Sequence, residues 1–256
     1  VQPSEFMKLG MPMMCAWFLS KRDLPPSLSS IAITLALIVV PVLLIAKEPD
    51  LGTSLLVAAS GIFVLFLAGL SWRLIASAAA LAVPLVAFAW NFLLHDYQRT
   101  RVLTLFNPEA DVQGAGWNII QSKTAIGAGG LTGKGYLEGT QSHLHFLPEG
   151  HTDFIIAAFS EEFGLLGVIL LMFIYACLLM RALYIAFSHP DVYSRLLAGA
   201  LAMSFFVYIF VNVGMVGGIL PVVGVPLPFI SYGGTAIVTL MAGFGLLMSI
   251  HTHKSS

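Results

Sequence analysis

Seven apolar stretches of roughly membrane-spanning length, each nearly free of charge, leave this chain few ways to fold. A bilayer core about 30 Å thick needs roughly 20 apolar residues per helix, and in lipid each backbone N–H and C=O must be satisfied within protein. The stretches cover about 4–20, 29–47, 52–70, 73–94, 163–187, 196–217 and 234–251. Pro41 and Pro84 fall inside two of them, which membrane helices tolerate when neighbours satisfy the freed carbonyls. The prediction is an all-α, polytopic transmembrane helical bundle. Composition agrees: 58% of the 256 residues are hydrophobic and 10% charged, against roughly a quarter charged in soluble domains. A formal net charge of −1 gives no basic excess for nucleic acid. Cys15 and Cys177 lie in apolar stretches and read as small hydrophobes, not as a disulfide or a thiolate metal site.

Orientation follows from basic residues in short connections. Lys21, Arg22, Arg73, Arg181, Arg195 and Lys254 fall on one side if the spans alternate, whereas the opposite short connections hold only Lys47. The basic side, with the C-terminus, is expected to be cytoplasmic. The segment 95–153 then faces outward as one large extracytoplasmic loop, too long for a plain connection and so expected to be functional. It carries a glycine cluster at Gly127, Gly129, Gly130, Gly133 and Gly135. The last outer loop, Gly217 to Gly234, is rich in Gly and Pro yet apolar. It reads as a broken or re-entrant segment, viable at membrane depth only if packed in protein or lining a cavity.

Ionisable residues beside spans are costly and therefore candidates for function. Glu5 and Lys8 share one helix face; the competing reading makes Ser4 a cap, Glu5 a dipole partner and Lys8 a snorkelling cation. Asp50 sits in an outer turn, where it is equally a helix cap. Asp153, in His151-Thr152-Asp153-Phe154, lies at the edge of an apolar run and suits a general base; the alternative is that Thr152 or Asp153 caps the next helix, with Glu161 and Glu162 as polar residues further on. Gly233 and Gly234 permit close backbone approach, and a helix start there offers N–H groups to an anion; tight packing of a bent segment explains them as well. Three patterns are set aside. Gly133-Lys134 lacks the rest of a phosphate-binding loop, His143, His145 and His151 lack a zinc framework, and the His251 tail reads as interfacial.

Read together, these segments resemble the SEDS family of RodA, FtsW and SpoVE, most closely its RodA branch. The resemblance rests on Gln2-Pro3-Ser4-Glu5, Pro49-Asp50-Leu51-Gly52-Thr53-Ser54, Gly114-Ala115-Gly116, Gln121-Ser122, Gly129-Gly130 and Phe146-Leu147-Pro148-Glu149-Gly150-His151-Thr152-Asp153-Phe154. It ends with Asn212, Gly218-Ile219-Leu220-Pro221 and Phe229-Ile230-Ser231-Tyr232-Gly233-Gly234-Thr235-Ala236. Val222 to Pro228, Gly133-Lys134-Gly135 and Gly139-Thr140-Gln141 give the RodA-like flavour. His145 stands where the family often has Glu, and Gly150 where RodA often has Arg. Family members have about ten spans, so at roughly 20 residues per span the resemblance implies about three upstream of Val1. The chain is then expected to be a fragment of a single membrane domain covering 1–256, with the 95–153 loop inside it.

The resemblance implies a peptidoglycan glycosyltransferase that polymerises lipid II into β-1,4 glycan strands during elongation, releasing undecaprenyl pyrophosphate. It implies Asp153 as the catalytic base, and Glu5, Lys8, Arg99, Arg101, Gln121, His151, Ser231, Gly233 and Gly234 as cavity or substrate contacts. A divalent cation such as Mg2+ is plausible chemistry for a departing pyrophosphate, although no ligand set is visible. Implied partners are lipid II, a class B penicillin-binding transpeptidase and the elongation machinery, in the bacterial inner membrane. A lipid II flippase and a non-catalytic scaffold for the transpeptidase are the alternatives.

Overall fold

The computed structural model describes residues 2–48, 50–92, 96–111, 114–139 and 150–253. His143, His145, Pro49, Lys254 and the 146–149 stretch lie outside the described residues. All regular structure among the described residues is helical. In chain order the helices are α1 (Pro3–Ser20), α2 (Leu28–Ala46), α3 (Leu51–Leu67), α4 (Trp72–Phe92), α5 (Asp96–Phe106), a 3-10 turn (Pro108–Ala110), α6 (Ala115–Gly129), α7 (Ile155–Ser188), α8 (Val192–Val216) and α9 (Gly234–Thr252).

Each of the seven apolar stretches coincides with a helix. Five of these helices, α2, α4, α7, α8 and α9, are long and apolar enough to cross a membrane by themselves; α3 has 17 residues and α1 carries Glu5 and Lys8. Local chemistry sets the ends. Pro3 occupies the first turn of α1, where its missing N–H costs nothing. Ser27, Asp50 and Asp191 cap α2, α3 and α8 by accepting from the N–H groups of Ser30, Thr53 and Ser194. Ser4 is no cap: Gln2 holds that position, and Ser4 is buried in the first turn of α1.

The core forms where α1, α3 and α8 meet, around Met11, Cys15, Leu19, Val57, Val64 and Leu197. A second cluster joins α7 and α8 to the last loop through Phe154, Tyr175, Phe205, Met215 and Leu227. Cys15 is buried in the first cluster and Cys177 is exposed, both unpaired. Helix α4 leaves Leu81, Val83, Phe88 and Phe92 exposed along its length.

Among its described residues the 95–153 segment contains α5, the 3-10 turn and α6. Helix α6 packs along the start of α7. There α7 is broken at Gly164, whose φ of +66° only glycine adopts readily. The chain after α6 fills the break. Lys134 and Gly135 donate their N–H groups to the carbonyls of Glu161 and Glu162 (3.0 and 3.1 Å), and Leu165 and Leu166 donate to Gly130 and Leu131 (2.9 and 3.1 Å). Backbone groups that an unbroken helix would satisfy internally are thus satisfied by a neighbouring strand of chain. The glycine cluster serves this close approach: a Cβ on Gly129 or Gly133 would fall on the carbonyl of Ser160 or Glu162.

The last loop is irregular and packed in protein, as its apolar Gly- and Pro-rich sequence requires. Val225 and Leu227 are buried. The carbonyl of Val225 accepts from Asn212 Nδ2 (2.7 Å) and that of Pro228 from the Tyr175 hydroxyl (2.6 Å). Gly52 lets this loop cross the start of α3, because a Cβ there would lie 2.5 Å from the carbonyl oxygen of Val223.

Candidate functional site

Asp153 lies in the turn that precedes α7. It is half-buried and does not cap the helix: Phe154 holds the cap position, with no side-chain cap bond. The turn is fixed through its backbone instead. Asn212, fully buried on α8, donates from one Nδ2 to the carbonyls of both Asp153 (2.8 Å) and Val225 (2.7 Å). Ser231 donates its hydroxyl to the Thr152 carbonyl (2.6 Å) and accepts from the Leu227 N–H (2.7 Å). Tyr232 donates its N–H to the His151 carbonyl (3.0 Å). Asp153 therefore lies against the broken loop, its Oδ2 3.3 Å from the Cβ position of Gly224. These bonds fix the backbone from which the Asp153 carboxylate projects.

Glu5 and Lys8 form the second part. Both are buried, at 6% and 8% exposure, in a bundle where an unpaired charge would be prohibitive. Lys8 Nζ pairs with Glu5 Oε1, Thr239 Oγ1 of α9 donates to Glu5 Oε2 (3.2 Å), and Lys8 Nζ lies 5.3 Å from the Tyr208 ring centroid on α8. Lys8 thus points into protein and does not snorkel. Asp50 caps α3 and also accepts from Gln2 Nε2 (3.0 Å), tying the starts of α1 and α3 together. Tyr208 and Asn212 lie four residues apart and so on one face of α8. That face joins the two parts: Tyr208 touches the ion pair and Asn212 holds the Asp153 turn.

Between α1, α3, α8, α9 and the last loop lies a small, mostly apolar cavity of about 60 Å³. Lys8, Tyr208, Thr239 and Ser231 supply polar edges, and Phe205 and Phe244 apolar walls.

The remaining candidates are more scattered. Arg99 is bound locally, to Asp96 (3.9 Å) and the Asn91 carbonyl (3.2 Å), on a helix that packs against α6 and the 3-10 turn. Arg101 shares that helix, and Gln121 is half-buried on α6. His151 contributes its carbonyl while its side chain is exposed. Gly233 and Gly234 start α9, but a Cβ at Gly234 would meet nothing and one at Gly233 only Ala236 at 3.6 Å. Among the described residues no other protein segment closes on this glycine pair.

Two features went unread in sequence. Glu161 is fully buried and paired with Lys134 (2.7 Å) across 27 residues, and Asn212 anchors the Asp153 turn. No three His, Cys, Asp or Glu side chains converge as a metal cluster among the described residues.

Five apolar helices of membrane-crossing length, packed with shorter ones around a mostly apolar cavity that the buried Lys8 edges, define a polytopic helical membrane protein. The chain belongs to the FtsW/RodA/SpoVE family, whose model, described as a cell cycle protein, matches residues 1–256. It is 58% identical to the peptidoglycan glycosyltransferase MrdB of Escherichia coli K12 over 253 residues, which is 99% of this chain and 68% of that protein. A structure described as showing structural coordination of polymerization and crosslinking by a peptidoglycan synthase complex matches the whole chain and 71% of its own, with a TM-score of 0.85 and 31% identity. The rod shape determining protein RodA of Thermus thermophilus matches with a TM-score of 0.68 and 28% identity, over the whole of this chain and 67% of that one.

Proposed function

We propose that this chain is the greater part of a peptidoglycan glycosyltransferase that joins lipid II units into β-1,4 glycan strands for cell elongation. The observation that carries the reading is the Asp153 turn: a half-buried carboxylate beside the last loop, its backbone carbonyl held by Asn212 and that of Thr152 by Ser231, which also lines the cavity that Lys8 enters. In the proposed step the C4 hydroxyl of an acceptor GlcNAc gives its proton to Asp153 as its oxygen attacks C1 of the donor MurNAc. The C1–O bond to undecaprenyl pyrophosphate breaks and C1 inverts. A base within reach of the hydroxyl contributes typically 10²–10⁴-fold. Lys8 stands for the positive charge that favours the departing pyrophosphate, with Glu5 and Thr239 fixing its direction. Mg2+ commonly takes one or two carboxylates plus substrate phosphates, so a cation held partly by the departing pyrophosphate is compatible with this reading, and no step is routed through it.

The orientation proposed places the Asp153 end outside the inner membrane. Lys21, Arg22, Arg181 and Arg195 support this, since they follow α1 or flank the α7–α8 turn at the other end, where Arg181 meets His251 at 3.0 Å. A penicillin-binding transpeptidase is the proposed partner, on the likeness to a synthase complex described by polymerization and crosslinking. The test is Asp153→Asn in the full-length protein, purified and supplied with lipid II. Loss of glycan polymer with wild-type thermal stability is expected; undiminished polymer removes Asp153 from the chemistry.

A further inference from the structure

We propose that Lys134 and Glu161 are positioning residues for Asp153, forming a latch that sets the short outer half of α7. This rests on the reading of Asp153 as the base. The residues between Asp153 and the Gly164 break make one short helical piece, Ile155 to Phe163. Asn212 and Ser231 fix its start through the preceding turn. At its other end the regular helix has been interrupted, so the piece is not held by continuity with the long inner half of α7. What holds it is the chain after α6: four backbone hydrogen bonds across the break, and Lys134 Nζ on Glu161 Oε1 at 2.7 Å.

The pair is asymmetric in a way that marks its direction of action. Glu161 has no exposed side-chain surface, whereas Lys134 keeps 31%. A carboxylate at full burial needs its charge compensated, and Lys134 is a charged partner that does so; a lysine at the edge still reaches water. Lys134 therefore pins Glu161 more than Glu161 pins Lys134. Gly129, Gly133 and Gly164 allow the contact, since a Cβ at any of them would strike backbone of the opposing segment. Glu161 lies eight positions after Asp153, about 12 Å along a helical rise, so the latch stands away from the reacting carboxylate. Its effect is on where the carboxylate sits, and a misplacement of about 1 Å costs on the order of 100-fold in rate.

The experiment uses the full-length protein with lipid II and four variants. Lys134→Met is expected to lower kcat by at least about tenfold with KM within about threefold, the pattern of lost transition-state geometry. It is also expected to raise amide exchange in 155–163. Lys134→Arg should keep at least about half the rate, and Lys134→Met/Glu161→Met should recover most of the loss, because no buried charge is left behind. Glu161→Asp retains the charge but shortens its reach, and should lower kcat at normal protein yield even if Lys134→Met fails to fold. Wild-type kcat and exchange in Lys134→Met and Glu161→Asp overturns the latch, as does a double variant no better than Lys134→Met. Full activity of Asp153→Asn would instead overturn the reading of Asp153, leaving the exchange data to judge the latch alone.

Discussion

Replacing Asn212 by Leu tests whether the Asp153 turn is set by the buried amide. Leu keeps the branched outline of the amide but is bulkier, so a small overpacking cost is added while two hydrogen bonds are lost, at 2.8 Å to Asp153 and 2.7 Å to Val225. A buried carbonyl left unsatisfied costs roughly 1–3 kcal/mol, which gives about 2–6 kcal/mol for the pair. Part is returned because Asn212 Oδ1 is itself buried with no protein partner, and Leu removes that cost. A net of about 1–4 kcal/mol remains, concentrated on the two segments that Asn212 joins. Since 1.4 kcal/mol corresponds to about tenfold in a population, loosening of the turn by half that net predicts kcat lower by roughly 2- to 30-fold. KM for lipid II should change by less than about threefold. Ser231→Ala acts on the same two segments, and with Asn212→Leu should be non-additive by at least about 0.5 kcal/mol. The assay is steady-state polymerisation of lipid II by purified full-length protein, beside thermal unfolding in detergent. Wild-type kcat in Asn212→Leu, with the melting temperature unchanged, would refute the reasoning.

Other expectations follow from the same geometry. Lys8→Met deprives a carboxylate of 6% exposure of its cation and should destabilise by about 3–5 kcal/mol in thermal unfolding, with Lys8→Met/Glu5→Met costing less. Gly129→Ala puts a Cβ on the Ser160 carbonyl, forcing α6 off α7, and should cost about 1–3 kcal/mol by the same measurement. Asp191→Ala removes the cap of α8 and should cost about 1 kcal/mol. The Ser194 N–H holds the Asp191 carboxyl below its ordinary range, so this cap is fully present above the unfolded-state pKa. It is lost as pH falls through the lowered native value, and the gap between wild type and Asp191→Ala should close in acid.

The spans were legible because burial in lipid writes itself into every residue of a stretch, and interruptions such as Pro41 and Pro84 do not erase it. The cap at Asp50 was legible for a similar reason: its partner lies three residues away. The Asp153 turn was only half readable. Residue types left a base and a helix cap equally open, the resemblance favoured the base, and the absence of a cap bond follows from tertiary contacts with α8 and the last loop. Glu161 was missed because an acidic residue beside Glu162 reads as a wet helix face, while its partner Lys134 looked like a fragment of a phosphate loop. Nothing local records that α7 breaks at Gly164 and brings the two together. Helices α5 and α6 were similarly hidden inside a segment whose glycines suggested irregular chain. Gly233 and Gly234 drew notice for a close approach that glycines at 129 and 133 make instead.

Binding and chemistry need to be separated at Asp153 itself. With full-length Asp153→Asn, lipid II affinity and the single-turnover rate of glycosidic bond formation can be measured on one preparation. The account predicts a Kd within about threefold of wild type and a bond-forming rate lower by at least about 100-fold, the loss of a positioned base. Weakened binding with an unchanged rate would contradict it.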